Sequence, residues 1–299
     1  MRNKELIIIA GPTGVGKTQI SLEIAQQLGT EIISADSRQI YKEMSVGTAV
    51  PAPEQLEAVK HHFIQTKSIH DYYNASMYEQ EVLQDLKNLF KKYDKVILCG
   101  GTGLYIDAVR KGIDELPEVD MELRKQLQYR MEEEGLESLR QELRLLDPES
   151  YSRIDLKNPK RVQKALEVCF TTGKPYSAFL NRPEKKRDFK QKLIVLNIDR
   201  EKLYKQINQR TDQMIASGWV EEAKKLYPYR HTNALKTLGY KELFAYLEGT
   251  CTIDQAVEII KANTRKYARK QITWFRKDPG YKWFSTSQFD EIMKAIENE

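Results

Sequence analysis

The sequence predicts an α/β fold: a P-loop, doubly wound parallel sheet carrying an inserted all-helical domain and a helical C-terminal region. Three observations carry this. Leu6-Ile7-Ile8-Ile9-Ala10 is a short continuous apolar run ending in glycine, as a strand buried on both faces reads. A glycine-rich loop, a stripe of apolar residues at helical spacing and a second short apolar run follow it, which makes a β-loop-α-β unit and a parallel strand pair. After Gly112 the strand-like runs stop, and charged sequence of helical period takes over.

In order, Thr18 to Leu28 places Ile20, Ile24, Ala25 and Leu28 on one helical face, and Glu31 to Ala35 reads as the second strand. Tyr73 to Tyr93 predicts a helix, and Lys95 to Cys99 a further strand stopped by Gly100-Gly101. Met121 to Leu146 predicts one long helix and Pro159 to Phe170 another. A polar stretch, Asn181 to Lys192, leads to a returning strand, Leu193 to Ile198, and everything beyond Arg200 has a helical pattern. The expected layout is residues 1–113 for the first part of the core, 114–190 for the helical insertion, and 191–299 for core completion with a helical C-terminal region.

The chain has 299 residues, 40% apolar and 30% charged, which suits a packed core and not disorder. No apolar run approaches the roughly 18 residues of a membrane span, so a cytoplasmic location is expected. Cys99, Cys169 and Cys251 are too scattered for a disulfide framework or a local zinc site. The net charge of +5 is mild, but Ile259 to Lys277 holds seven Lys or Arg and no acidic residue. By charge alone such a run reads as a solvated helix face.

Gly11-Pro12-Thr13-Gly14-Val15-Gly16-Lys17-Thr18 matches G-x-x-x-x-G-K-[ST] between a predicted strand and a predicted helix, where a P-loop has to lie. Its backbone amides and the helix N-terminus would bind phosphate, Lys17 would reach the terminal phosphate, and Thr18 could hold Mg²⁺. A diphosphate or triphosphate is expected here. The third predicted strand runs into Cys99-Gly100-Gly101-Thr102-Gly103, with no aspartate of the kind that helps hold Mg²⁺ in P-loop NTPases. Asp36 lies at the carboxyl end of the second strand, where open α/β sheets place ligands; it can serve as a base or metal ligand, or simply cap the following turn.

Several further blocks accompany the P-loop in order: Asp36-Ser37-Arg38-Gln39-Ile40-Tyr41, Gly47-Thr48-Ala49, His61-His62, Gly100 to Tyr105, Arg161 with Ala165 to Val168, Gly239-Tyr240-Lys241-Glu242, and Thr264-Arg265 with Gln271 to Arg276. Together they resemble the signature of the bacterial tRNA dimethylallyltransferases over nearly the whole chain. The resemblance implies dimethylallyl diphosphate as donor, Mg²⁺ as cofactor, and as acceptor the exocyclic amine of the adenine just 3′ of the anticodon. It implies Asp36 as general base, Thr102 as a contact to the target nucleotide, and Arg210 as a pyrophosphate ligand. Contacts to the tRNA anticodon stem-loop are implied for Asp36, Ser37, Arg38, Gln39, Thr102, Arg124, Lys160, Arg161, Lys164, Lys236, Lys241, Arg265, Arg269, Lys270, Gln271 and Arg276. No protein partner is implied. The chain departs from the family pattern at Val50, where lysine is common, at Lys164, where arginine is usual, and at Arg269-Lys270, which reverses the usual Lys-Arg.

On a helix Lys261, Arg265 and Arg269 share one face, and Lys157, Arg161 and Lys164 repeat the spacing in the insertion; with the P-loop alongside, both read as RNA-facing stripes. Trp274 and Phe275 read as stacking or core groups, and His61 and His62 as structural. Rival readings are a prenyltransferase acting on free adenine nucleotides, a P-loop small-molecule kinase, and a non-catalytic RNA-binding module.

Overall fold

A computed structural model of the chain describes residues 4–114, 116–117, 120–180 and 184–297; the first three residues of the expected polar stretch, Asn181 to Pro183, lie outside them. The chain folds as two compact units, Met1–Lys111 with Lys186–Glu299, and Gly112–Lys185. The first opens with β1 (Glu5–Ala10), α1 (Lys17–Leu28), β2 (Ile32–Ala35), α2 (Pro53–Ala58), β3 (His61–His62), α3 (Ala75–Lys92), β4 (Lys95–Gly100) and α4 (Gly103–Lys111). The second contains α5 (Met121–Glu133), α6 (Gly135–Leu146), α7 (Pro148–Arg153) and α8 (Pro159–Thr172). The first unit resumes with β5 (Lys190–Leu196), α9 (Arg200–Ala216), α10 (Trp219–Leu226), α11 (Tyr240–Leu247), α12 (Ile253–Arg276), β6 (Lys282–Phe284) and α13 (Phe289–Glu297).

The strands form one parallel sheet in the order β3-β2-β4-β1-β5-β6. β1 is central, and alternate side chains leave it on opposite faces. Leu6, Ile8 and Ala10 pack with Val82 and Leu86 of α3, Leu243 of α11, and Ile260 and Phe275 of α12. Ile7 and Ile9 pack with Ile20 and Ile24 of α1, Leu203 and Ile207 of α9, and Ile292 and Ile296 of α13. With both faces covered, no position from Leu6 to Ala10 can be polar, which is why that stretch reads as an unbroken apolar run. Truncating Ile8 to alanine would leave a cavity costing about 2–5 kcal/mol.

Three expectations need correction. The single helix expected from Met121 to Leu146 breaks in two, because Gly135 adopts a left-handed conformation (φ 80°) that ends α5 and starts α6. The returning strand is Lys190–Leu196, earlier than expected: Lys190 N–H pairs with the Lys4 carbonyl, and by Asn197 the amide bonds to Phe284 instead of extending the β1 ladder. The region beyond Arg200 is not all helical, since β6 adds a short edge strand paired from Ile194 to Leu196 of β5. His61 and His62 form the opposite edge strand: His61 Nδ1 lies 2.8 Å from the Val59 carbonyl, and His62 Nε2 lies 2.6 Å from Glu31 Oε2.

The second unit is held by Leu127, Leu139, Leu143, Val162, Ala165 and Leu166. Within it Arg124 of α5 forks onto Glu167 of α8 at 2.6 and 2.7 Å, and that carboxylate is almost fully buried.

Candidate active site

β1 delivers the chain into the P-loop at the carboxyl edge of the sheet, and α1 begins at Lys17. Gly14 stands at φ 80°, and a Cβ there would lie 2.9 Å from Ile207 of α9, so the loop can pass under that helix only as glycine. The Lys17 ammonium donates to the Pro12 carbonyl at 2.8 Å, curling back over its own loop. Burial lowers its pKa to about 8; Cys99 and Asp36 favour its charge, and Arg210 opposes it. Burial also lowers the pKa of Arg210, with Asp36 pulling the other way, and among the described residues no hydrogen bond or ion pair engages the Arg210 guanidinium. Two desolvated cations thus share a space whose opposite charge comes from Asp36. That is the electrostatics of an anion-binding site.

Asp36 stands at the end of β2. Its Oδ1 accepts from the amides of Arg38 at 2.8 Å and Gln39 at 3.2 Å, so it does cap the next turn. Its other oxygen receives no hydrogen bond from a described residue. The capping and functional readings of this residue are therefore compatible, one per oxygen. Thr102 adjoins it: its hydroxyl accepts from Ser37 N–H at 3.1 Å and its own amide donates to the Ala35 carbonyl at 3.2 Å. The Thr102 turn lies tight under α12. A Cβ on Gly103 would sit 2.5 Å from the Trp274 indole, and one on Gly101 would overlap the Gln271 amide.

Other expected contacts fall in different places. Arg38 donates to the carbonyls of Ala234 at 3.0 Å and Asn233 at 3.4 Å, and the Gln39 amide donates to those of Thr48 and Ala49 at 3.1 and 3.0 Å. Both side chains brace neighbouring loops. Gln271, expected to face RNA, is instead buried: its Oε1 accepts from Thr13 N–H and its Nε2 donates to the Gly101 carbonyl, each at 2.9 Å. The Lys261-Arg265-Arg269 stripe turns toward α9, where Lys261 pairs with Asp212, Arg265 donates to Asn208 at 2.6 Å, and Arg269 donates to the Tyr204 hydroxyl at 2.7 Å. The open basic side of α12 carries Lys266 and Lys270 and is continued by Lys277 just past its end, with Arg269 and Arg276 at its border. Phe275 is core, whereas Trp274 is 38% exposed and donates to Asp107. Lys241 is exposed and Lys236 half-buried. In the second unit Lys157, Lys160 and Arg161 are exposed, while Arg124 and Lys164 lie toward Glu167.

Sequence reasoning passed over two participants. Tyr267 of α12 is 42% exposed, yet its phenol is pushed up to about 12, first by desolvation and then by Asp36, with Arg38 and the Thr102 hydroxyl opposing. Its phenol thus lies within electrostatic reach of Asp36 and of the Thr102 hydroxyl. The missed signal was its place four residues before Gln271, on the same helical face. Glu222 of α10 accepts the amides of Ser45, Val46 and Gly47 at 2.8, 2.8 and 2.9 Å, and also the Tyr240 hydroxyl at 2.6 Å. It thereby fixes the loop that receives Gln39, and only tertiary structure brings it there.

Magnesium would be held by few protein groups. Among the described residues no cluster of three or more His, Cys, Asp or Glu could cage a metal. A phosphate-bound Mg²⁺ needs only one or two protein ligands, and the Thr18 hydroxyl at the start of α1 suits that arrangement. No helix among the described residues is long and apolar enough to cross a membrane.

The family model described as IPP transferase matches residues 39–278. tRNA dimethylallyltransferase 1 of Phocaeicola vulgatus is 52% identical, with 97% of each chain covered, and tRNA dimethylallyltransferase 1 of Bacteroides fragilis is 50% identical, with 99% of each covered. Among solved structures, the tRNA isopentenylpyrophosphate transferase of Bacillus halodurans aligns with TM-score 0.69 and 33% identity, over 97% of this chain and 94% of that one. A eukaryotic dimethylallyltransferase acting on tRNA aligns with TM-score 0.80 and 25% identity, over 98% of this chain and 78% of that one. With the family model spanning most of the sequence and half the residues shared with full-length relatives, the chain belongs to the IPP transferase family, the tRNA dimethylallyltransferases.

Proposed function

We propose that the chain transfers a dimethylallyl group from dimethylallyl diphosphate to the exocyclic amine of the adenine 3′ of the anticodon in tRNA, releasing pyrophosphate. The observation that carries the reading is the P-loop between β1 and α1, with the Lys17 ammonium folded over it and Lys17, Arg210 and Asp36 electrostatically coupled. The absence of an acidic residue at the end of β4, which closes in Cys99-Gly100, favours a prenyl diphosphate over a hydrolysed triphosphate.

The chemistry follows from two needs. An adenine amine is a weak nucleophile because its lone pair is shared with the ring, whereas an allylic diphosphate ionises once its leaving group is neutralised. The P-loop amides, Lys17 and Arg210 would stabilise charge growing on the departing diphosphate, a preorganised electrostatic effect that is usually the largest in catalysis. The Thr18 hydroxyl would hold Mg²⁺, which when bound would supply further neutralisation of the leaving group. The free oxygen of Asp36 would take the amine proton as the new C–N bond forms, while its capped oxygen keeps the carboxylate aimed. Thr102 and Tyr267 border the place the adenine would occupy, and extruding the base from a single-stranded loop costs only about a few kcal/mol. The exposed basic side of α12 would track the RNA backbone.

Incubation with radiolabelled dimethylallyl diphosphate and Mg²⁺, with either unmodified tRNA or AMP as acceptor, tests this reading. Label should pass to tRNA alone. Label on AMP would assign the site to free nucleotides, and label on neither would remove the prenyltransferase reading.

A further inference from the structure

Gln271 is the side chain at which three parts of the site meet. It projects from α12, is 6% exposed, and spends its amide on two backbone groups 88 residues apart: the Thr13 N–H inside the P-loop and the Gly101 carbonyl just before Thr102. The approach is close enough that a Cβ on Gly101 would overlap the Gln271 amide. Thr102 in turn holds the Ser37 amide beside Asp36. On the outer side of the same helix, Lys270 is the neighbouring residue and Lys266 lies just over one turn away, both exposed. α12 is a continuous helix of 24 residues in which Ala268 and Phe275 are buried, a packed element of the kind that carries coupling between its outer face and Gln271.

We propose that Gln271 is a positioning residue that couples RNA docking on α12 to the shape of the diphosphate loop. The Thr13 amide is turned to Gln271, so the first half of the P-loop is set by the position of α12. The second bond carries the same displacement to the Gly101-Thr102 turn beside Asp36. RNA seated on Lys266 and Lys270 would therefore adjust the diphosphate loop and the acceptor turn together. Linkage requires the effect to be reciprocal: whatever factor RNA contributes to diphosphate affinity, diphosphate contributes to RNA affinity.

The inference rests on the P-loop being the diphosphate site and α12 the RNA-bearing helix. Its test is the affinity of Mg²⁺-pyrophosphate measured by calorimetry with and without saturating tRNA, in wild type, Gln271→Met and Gln271→Glu. Methionine keeps the volume and removes both bonds; glutamate can still accept from Thr13 but cannot donate to Gly101. The charge added by glutamate weakens both pyrophosphate affinities, so it cancels in their ratio. The wild type should show a change of about fivefold or more on tRNA addition, typical of coupled sites. The ratio should fall to within about twofold of unity in either variant that folds. Pyrophosphate that fails to bind wild type refutes the P-loop assignment, and the coupling with it. Pyrophosphate that binds wild type without responding to tRNA, or responds equally in the variants, refutes the coupling alone. A purely structural Gln271 would lower the melting temperature and weaken both affinities while leaving their ratio intact.

Discussion

Replacing Asp36 with asparagine separates two jobs that the structure assigns to different oxygens of one carboxylate. Oδ1 accepts from the amides of Arg38 and Gln39, and an asparagine carbonyl can occupy the same position with the same two bonds. Capping losses of about 1 kcal/mol belong to alanine, not to asparagine, so Asp36→Asn should melt within a degree or two of wild type. The second oxygen becomes an amide nitrogen that cannot accept a proton. Loss of a general base costs about 10² to 10⁴ in rate, equivalent to about 3–5 kcal/mol on the barrier. Lys17 and Arg210 lose a stabilising neighbour, but a bound diphosphate also loses a repelling one, so affinity should move by only a few-fold. Single-turnover transfer to tRNA at pH 7, with dissociation constants for tRNA and diphosphate, reads all three quantities. Transfer within a few-fold of wild type would show that Asp36 only caps, and the proton would need another acceptor.

Further expectations concern charge. Lys17 titrates near 8 in the free protein; below that pH the ammonium is already formed, whereas above it diphosphate binding must take up a proton. kcat/KM for dimethylallyl diphosphate should therefore fall as pH rises through about 8, and Lys17→Arg, which cannot deprotonate, should abolish that fall; an identical pH profile in the variant would contradict it. Lys266→Ala with Lys270→Ala should reduce the slope of log affinity for tRNA against log salt by about 1.4, at about 0.7 per phosphate contact in single strands, while Arg265→Ala, which loses its bond to Asn208, should lower stability more than slope. The opposite pattern would put the RNA on the α9 side. Arg124→Ala should destabilise the second unit by about 3 kcal/mol by leaving the buried Glu167 carboxylate without its fork, although Lys164 at 3.9 Å gives partial relief. Unchanged thermal unfolding would show that Arg124 is free for RNA.

What was legible in the sequence was local. The P-loop, the strand before it and Asp36 after β2 depend on residues within a few positions of one another, and the P-loop and Asp36 each follow the carboxyl end of a strand as expected. What was not legible depended on which element covers which face. Spacing puts Arg265 and Arg269 on one side of a helix, but only the packed structure shows that this side meets Asn208 and Tyr204 of α9. Gln271 sits in a basic segment and reads as an RNA contact, yet its neighbours are backbone groups 258 and 170 residues away. Tyr267 looks like an ordinary helix aromatic until folding brings Thr102 and Asp36 within electrostatic reach of its phenol. β6 is three residues long, too short for any periodicity, and takes its structure from the free edge of β5.

A prenyl diphosphate in the P-loop is expected to react with one adenine amine of tRNA. That expectation is tested most directly by treating unmodified tRNA with the protein, Mg²⁺ and dimethylallyl diphosphate without any nucleoside triphosphate, then digesting the RNA and identifying the altered nucleoside by mass spectrometry. A single dimethylallyl addition should appear on the exocyclic amine of the adenosine 3′ of the anticodon and be lost in Lys17→Ala. Modification at another nucleoside, or a requirement for ATP, would contradict it.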